Sequence, residues 1–187
     1  MPIIDQPTQF LTFMLGGGYF AINIGDVREV IEYMEPTTLS NAPHEVLGMI
    51  RVRGETLTVI DLRAKIGTEQ MERTVNTCII LIDTVSDSGE ALMMGALVDA
   101  VKEVVIFSPD QVTEPPKSSG GVNEFLMGVG KQKDQFTLIL DTESVFLRDA
   151  VGGADDVMGD GLEGAEPSAD DLKEMEALQA EFGEFLG

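Results

Sequence analysis

The stretch at residues 48–62, GMIRVRGETLTVIDL, returns at residues 128–142 as GVGKQKDQFTLILDT, and Gly48 stands as far from Asp61 as Gly128 does from Asp141. Each copy holds two short runs rich in Val, Ile, Leu and Thr on either side of a polar pair. That pattern predicts a hairpin, with its turn at Gly54-Glu55 in the first copy. Upstream, VREVI at residues 27–31 returns as VKEVV at residues 101–105. A chain that writes one unit twice is constrained to fold into two like halves. Arg51 and Arg53 stand two apart before the turn, where a strand presents both on one face, and Lys131 and Lys133 hold those places in the second copy.

Between the repeats the chain is rich in short extended segments. QFLTFML at residues 9–15 and YFAIN at residues 19–23 predict a hairpin around Gly16, Gly17 and Gly18. Nothing else of a nucleotide motif accompanies those glycines, so a turn is the better reading than a phosphate cradle. Residues 24–31 start with a short helical turn and return to strand, and PTTLSNAP at residues 36–43 is a loop bounded by prolines. Leu62 to Ile66 forms one helical turn. CIILID at residues 78–83 opens the second half, ALMMGALVDAV and KEVVIF follow as adjacent strands, and residues 108–124 make an irregular connector with three prolines. TESVFL at residues 142–147 predicts a last short helix. Many short strands, no long amphipathic helix and two equivalent halves favour an all-β fold of two small barrels side by side.

The chain has 187 residues, enough for one good core or two small linked ones. Its formal net charge is −21, and eleven of its 33 acidic side chains fall in residues 151–187 against Lys173 alone. A surface so negative repels phosphate backbones and anionic lipid, which argues against nucleic acid and against direct membrane insertion. A single cysteine, Cys78, excludes an internal disulfide and reads as a small buried thiol in an apolar run. The first residues lack the basic region of a secretory signal, and no apolar run nears the roughly 20 residues of a membrane-spanning helix, so a reducing cytoplasm is expected.

No catalytic constellation can be assembled. His44 is the only histidine, and its proline-flanked loop is far in character from the apolar strand of Cys78. Gly130-Lys131 lacks the earlier glycine and the following Ser or Thr of a phosphate-binding loop, and Asp156, Asp160 and Gly161 lack the oxygen ligands of a calcium loop. Catalytic residues, metal ligands and cofactors are therefore all expected to be none. Asp61 and Asp141 recur at strand ends, where each is expected to cap the helical turn that follows. Arg51, Arg53, Arg63 and Lys65 are the one basic cluster. Glu29 and Arg53 in the first copy match Glu103 and Lys133 in the second, so each acid and base is expected to meet within its own barrel.

VREVIEY, the NAP of residues 41–43, GMIRVRGETLTVIDLR, ALVDAVKEVV and GVGKQKDQFTLILD together resemble the CheW-like domains of bacterial chemosensory systems, in one register from residue 9 to about residue 149. The resemblance implies two five-stranded SH3-like barrels and a non-catalytic adaptor. Its partners would be the cytoplasmic tip of methyl-accepting chemoreceptors and the regulatory domain of a CheA-type histidine kinase, at the inner face of the membrane. The family's Asn-Leu-Arg-Gly stretch matches Arg51, Val52, Arg53 and Gly54, and its Val-Asp-Gly-Val matches Val98, Asp99, Ala100 and Val101. By that match Glu29 and Arg53 are associated with receptor and kinase coupling. Apolar grooves lined from Val27, Ile50, Val98 and Val101 are expected to hold partner helices or strands. Alternatives are an adaptor of a non-chemotaxis pathway and a small ligand-binding or enzymatic double barrel. An oligonucleotide-binding barrel using Arg51 and Arg53 is disfavoured by the charge and the few aromatics.

The expected organisation is a lead-in at residues 1–8, the double-barrel domain at 9–150, a flexible acidic linker at 151–167 and an amphipathic helix at 168–187. Ser168 and Asp171 make a start like a capping box, and Leu172, Met175, Leu178, Phe182, Phe185 and Leu186 then fall in one apolar stripe, as a helix that docks on another chemosensory protein or on its own barrels.

Overall fold

The computed structural model describes residues 1–86, 88–117 and 121–150, so the expected C-terminal helix and its stripe from Leu172 to Leu186 lie outside the described residues. The strands are β1 (Thr8–Leu15), β2 (Gly18–Asn23), β3 (Val27–Glu32), β4 (Val46–Val52), β5 (Glu55–Asp61), β6 (Cys78–Val85), β7 (Ala91–Val98), β8 (Ala100–Phe107), β9 (Val112–Thr113), β10 (Leu126–Gln132) and β11 (Gln135–Leu140). Helix α1 (Leu62–Ile66) follows β5 and α2 (Thr142–Ala150) follows β11, both where the sequence places a helical turn. The fold is all-β, in two barrel-like subdomains as expected.

The halves, however, are not divided where the sequence suggests. One sheet has the order β3-β6-β7-β5-β4 and the other β8-β1-β2-β11-β10-β9. The first subdomain is continuous in the chain, whereas the second is split, its last strands joined by the N-terminal hairpin β1–β2. The repeat pairs β3 with β8, β4 with β10 and β5 with β11, and β1–β2 then stands in the place of β6–β7. Even the parallel contact is repeated, Thr58 beside Met94 in one sheet and Leu138 beside Phe20 in the other. Strands β7 and β8, read from the sequence as adjacent, separate at Asp99 and enter different sheets. An apolar run shows that a strand is buried, but pairing is decided by long-range contacts.

The turns also moved by one residue. Arg53 and Gly54 have φ of 48° and 86°, and Lys133 and Asp134 have 50° and 63°, the two consecutive positive values of a type I′ turn. Arg53 is thus a turn residue rather than the strand-mate of Arg51. Gly48, at a bulge in β4 with φ of 142°, has no room for a side chain: a Cβ there would overlap the carbonyl of Thr37, whose strand-like bridge to Met49 completes the continuous sheet.

Among the described residues three apolar clusters form the core, and the largest lies between the subdomains. Leu11, Phe13, Phe20 and Ile22 of the split sheet face Ile60, Ile80, Ile82, Ala96 and Val98 of the continuous one, with Leu62 and Ile66 of α1 and Val145 and Phe146 of α2 in the same cluster. Alternate residues of the same strands fill each barrel's own core, Ile79 and Leu81 in one and Phe10 and Ala21 in the other. Strands buried on both faces lose the apolar–polar alternation, which is why CIILI reads as a continuous run. Each fully buried Phe, Leu or Ile adds about 1.5–3 kcal/mol relative to exposure, so the shared cluster binds the subdomains firmly.

Candidate functional site

In an open-ordered sheet rolled into a barrel, the outer strands must come together. In the continuous subdomain β3 and β4 are those strands, and the β4–β5 turn reaches back to β3 there. Arg53 Nη2 donates to Glu29 Oε2 at 2.8 Å, the ion pair expected from the sequence, with the arginine side chain 77% and the glutamate 24% exposed. The type I′ turn holds Arg53 in the left-handed region, uncommon for a residue with a side chain, which fixes the direction in which that side chain leaves the backbone. Beside the pair, Arg28 contacts Asp83 at 3.0 Å and Glu55 at 3.9 Å. Arg51 is exposed on β4 opposite Thr56. The result is an exposed, charged end of one barrel.

The matching pair in the split subdomain does not form: Glu103 and Lys133 are both exposed, and no ion pair joins them. An exposed pair gains only about 0–1 kcal/mol, so nothing compels the contact. Lys131, the counterpart of Arg51, instead lies over the Phe136 ring at 5.4 Å.

The other expected partner residues scatter. Ile50 is 5% exposed inside the core of the continuous barrel, and Val98 is 0% exposed in the shared core, so neither offers a partner any surface. Val27 and Val101 are half-buried against the shared core. The four therefore do not line one groove, because alternation along each strand sends them to different cores. Gly54 is exposed in the turn beside Arg53. The expected basic cluster also dissolves. Lys65 approaches Glu45 at 3.9 Å and lies 5.6 Å over the Phe125 ring, while Arg63 is buried.

Around Arg63 is a constellation that sequence reasoning missed. Asp61 caps α1 as expected, its Oδ1 accepting from the Arg63 backbone N–H at 3.0 Å, and it also accepts from Arg63 Nε and Nη2, each at 2.9 Å. Arg63 Nη1 donates to the carbonyl of Met71 at 2.6 Å and to Asp99 Oδ1 at 3.0 Å, and Asp99 Oδ2 accepts the Gly16 N–H at 2.7 Å. The hydrogen bond to Asp61 and the nearby carboxylates raise the Arg63 pKa, against the opposing effect of burial. The available signal was the break in the repeat, Arg63 in one copy against Glu143 in the other. Asp141 caps α2 in the expected way, accepting from the Glu143 N–H at 3.1 Å.

Cys78 is half-buried, and burial pushes its thiol pKa up, away from nucleophilic character. His44 sits 3.1 Å from Glu45. Among the described residues no group of three or more His, Cys, Asp or Glu is placed to hold a metal ion, and no helix is long and apolar enough to cross a membrane.

The family model of the CheW-like domain matches residues 9–150. The chain is 30% identical over 139 residues to a chemotaxis protein CheW of Rhizobium meliloti, covering 74% of this chain and 86% of that one. It is 27% identical over 150 residues to chemotaxis protein CheW of Klebsiella aerogenes, covering 80% and 87%. Protein PilI of Pseudomonas aeruginosa is 27% identical over 118 residues, 63% and 64% of the two chains. The crystal structure of the scaffolding protein TtCheW from Thermoanaerobacter tengcongensis superposes with a TM-score of 0.65 at 26% identity, over 72% of this chain and 89% of that one.

Proposed function

This chain belongs to the CheW-like family, and from that premise we propose that it holds the cytoplasmic tip of a methyl-accepting chemoreceptor against the regulatory domain of a CheA-type histidine kinase, with no chemistry of its own. It is a chemotaxis coupling adaptor, as its relatives are. The observation that carries the reading is the family match across both barrels. The end built from Glu29, Arg51, Arg53 and Gly54 is exposed and charged, which supports a contact there with a partner of complementary charge. Val27, Asp99 and Val101, at the edge of the shared core, support a second contact at the junction of the subdomains. The complex works in the cytoplasm, at the inner face of the membrane.

The acidic C-terminal stretch, with its stripe of Leu172, Met175, Leu178, Phe182, Phe185 and Leu186, serves a further chemosensory protein with a basic rim. The similarity to Protein PilI supports a second reading, in which the same adaptor serves a non-chemotaxis output.

Reconstitution tests the first reading. The purified chain, mixed with the kinase and a receptor fragment from the same genome, is expected to bind both and to raise receptor-dependent kinase autophosphorylation. Failure to bind the kinase regulatory domain and the receptor tip, together with tight uptake of a small molecule, would favour the ligand-binding double barrel instead.

A further inference from the structure

The chain crosses between subdomains at two places among the described residues, and each crossing carries an aspartate. Asp99 lies between β7 and β8, and Asp26 lies between β2 and β3. Each reaches the first turn of a helix: Asp99 to Arg63 of α1, and Asp26 to Thr142 of α2, whose hydroxyl donates to Asp26 Oδ2 at 2.9 Å. The two crossings are counterparts under the repeat, yet their chemistry differs. The first is a buried ionic cluster with Arg63 and Asp61 side chains 7% and 5% exposed and that of Asp99 15%; the second is one hydrogen bond from a neutral hydroxyl.

We propose that Arg63 is a positioning residue for coupling: with Asp61 and Asp99 it sets the angle between the two subdomains that a partner spanning both must meet. The shared apolar core holds the subdomains together, but burial of apolar surface is non-directional and permits small slides and rotations. The guanidinium is directional. Its fork takes Asp61 on one side of α1, and its remaining nitrogen takes Asp99, the residue where the chain leaves the continuous sheet. Asp99 in turn pins the end of β1 and the turn after it, its N–H donating to the Met14 carbonyl at 3.0 Å and its second oxygen accepting from the Gly16 N–H at 2.7 Å. Gly16 is itself closed in, because a Cβ there would lie 2.9 Å from the carbonyl oxygen of Glu69, in the segment after α1. Arg63 thus touches, directly or through one residue, α1, the crossing, the β1–β2 turn and the segment that ends at Met71. A buried pair of this kind adds little net stability over an apolar replacement, and its use is to select one arrangement.

The test is the distance between spin labels at Glu55 and Gln135, exposed counterparts in the two repeated hairpins, in the full chain. The unsubstituted protein is expected to give one narrow distribution. Asp99→Asn and Arg63→Lys, which remove a charge or the fork, are expected to broaden it while the strand amides of both subdomains stay protected from exchange. Asp26→Asn is expected to leave it narrow. The coupling readout rests on the proposed adaptor function: Arg63→Lys, whose side chain is buried away from the proposed partner contacts, should bind kinase and receptor singly with unchanged affinity, yet require several-fold more protein to activate the kinase through the receptor. An unchanged distribution in folded Asp99→Asn and Arg63→Lys would overturn the proposal, as would equal broadening by Asp26→Asn. If both Arg63→Lys and Asp99→Asn unfold, the cluster is a folding element and the proposal falls too. Broadening in a protein that never couples kinase to receptor, even unsubstituted, would instead count against the adaptor function and leave the positioning role standing.

Discussion

Ile50 and Gly130 hold the same position in the two copies of the repeat, and so do Tyr33 and Phe107. In the split barrel, Phe107 is 1% exposed and its ring lies directly over Gly130, where an added Cβ would come within 2.7 Å of it. Phe10 lies beside it with ring centres 5.8 Å apart and the ring planes tilted by 51°. In the continuous barrel Ile50 stands where the glycine does and is buried in the barrel core, and Tyr33 is half-buried against the same core under Arg73, whose guanidinium lies 4.3 Å from the ring centre. A ring sealed over a glycine in one barrel becomes a buried isoleucine beside a half-buried ring in the other. Among the described residues, the barrel sealed by an aromatic ring has no ion pair between Glu103 and Lys133, whereas the one with a half-buried ring carries Glu29–Arg53 in the matching place. A repeated fold tolerates such exchanges because its strand ladder is kept while the plug at the end is free to vary.

The sharpest way to break this comparison is to remove each ring. Phe107→Ala is expected to destabilise by about 3–5 kcal/mol, as for other buried aromatics, while Tyr33→Ala, half-buried beneath Arg73, should cost clearly less, about 1.5 kcal/mol, in the same urea titrations. Equal losses would mean that the rings do not differ in role. Next in size is the small partner. Gly130→Ala puts a methyl group against the Phe107 ring and should cost about 1–3 kcal/mol, whereas Ile50→Val should cost only about 0.5–1.5 kcal/mol. A neutral Gly130→Ala would show that the split barrel has slack.

Arg53→Ala sharpens the comparison from the functional side. Its pair is largely open to water, so the loss of stability should be only about 0–1 kcal/mol, and Lys133→Ala should cost no more. Receptor-dependent kinase activation should nevertheless drop with Arg53→Ala and not with Lys133→Ala. Activity that simply follows the amount of folded protein in both variants would make the pair structural.

The smallest effect is at Cys78, beside Tyr33 at the more open end. Burial raises its pKa in the folded state, so the folded protein holds that proton more tightly than the unfolded chain. Stability should therefore decline slightly as pH rises from the unfolded thiol's pKa through the folded one, and alkylation should be slower than for a free thiol at the same pH. A thiol that reacts as fast as free cysteine in the folded chain would contradict the burial seen here.

Much of this molecule was readable from the chain alone, for reasons of local chemistry. The repeat established that two like units form; Asp61 and Asp141 marked the helix starts because a carboxylate at a strand end can accept from free amides; the triple glycine marked a turn; and matched opposite charges at Glu29 and Arg53 anticipated their contact. Each of these depends on neighbours in sequence or on a pattern written twice. Tertiary structure alone decided that the N-terminal hairpin completes the C-terminal barrel, that Ile50 and Val98 turn inward, and that Arg63 is buried between two aspartates rather than solvated. Those outcomes follow from which distant surfaces exclude water together. An apolar strand such as CIILI is compatible with several partners, and a charged side chain is exposed by default until the fold supplies counter-charges within hydrogen-bond reach.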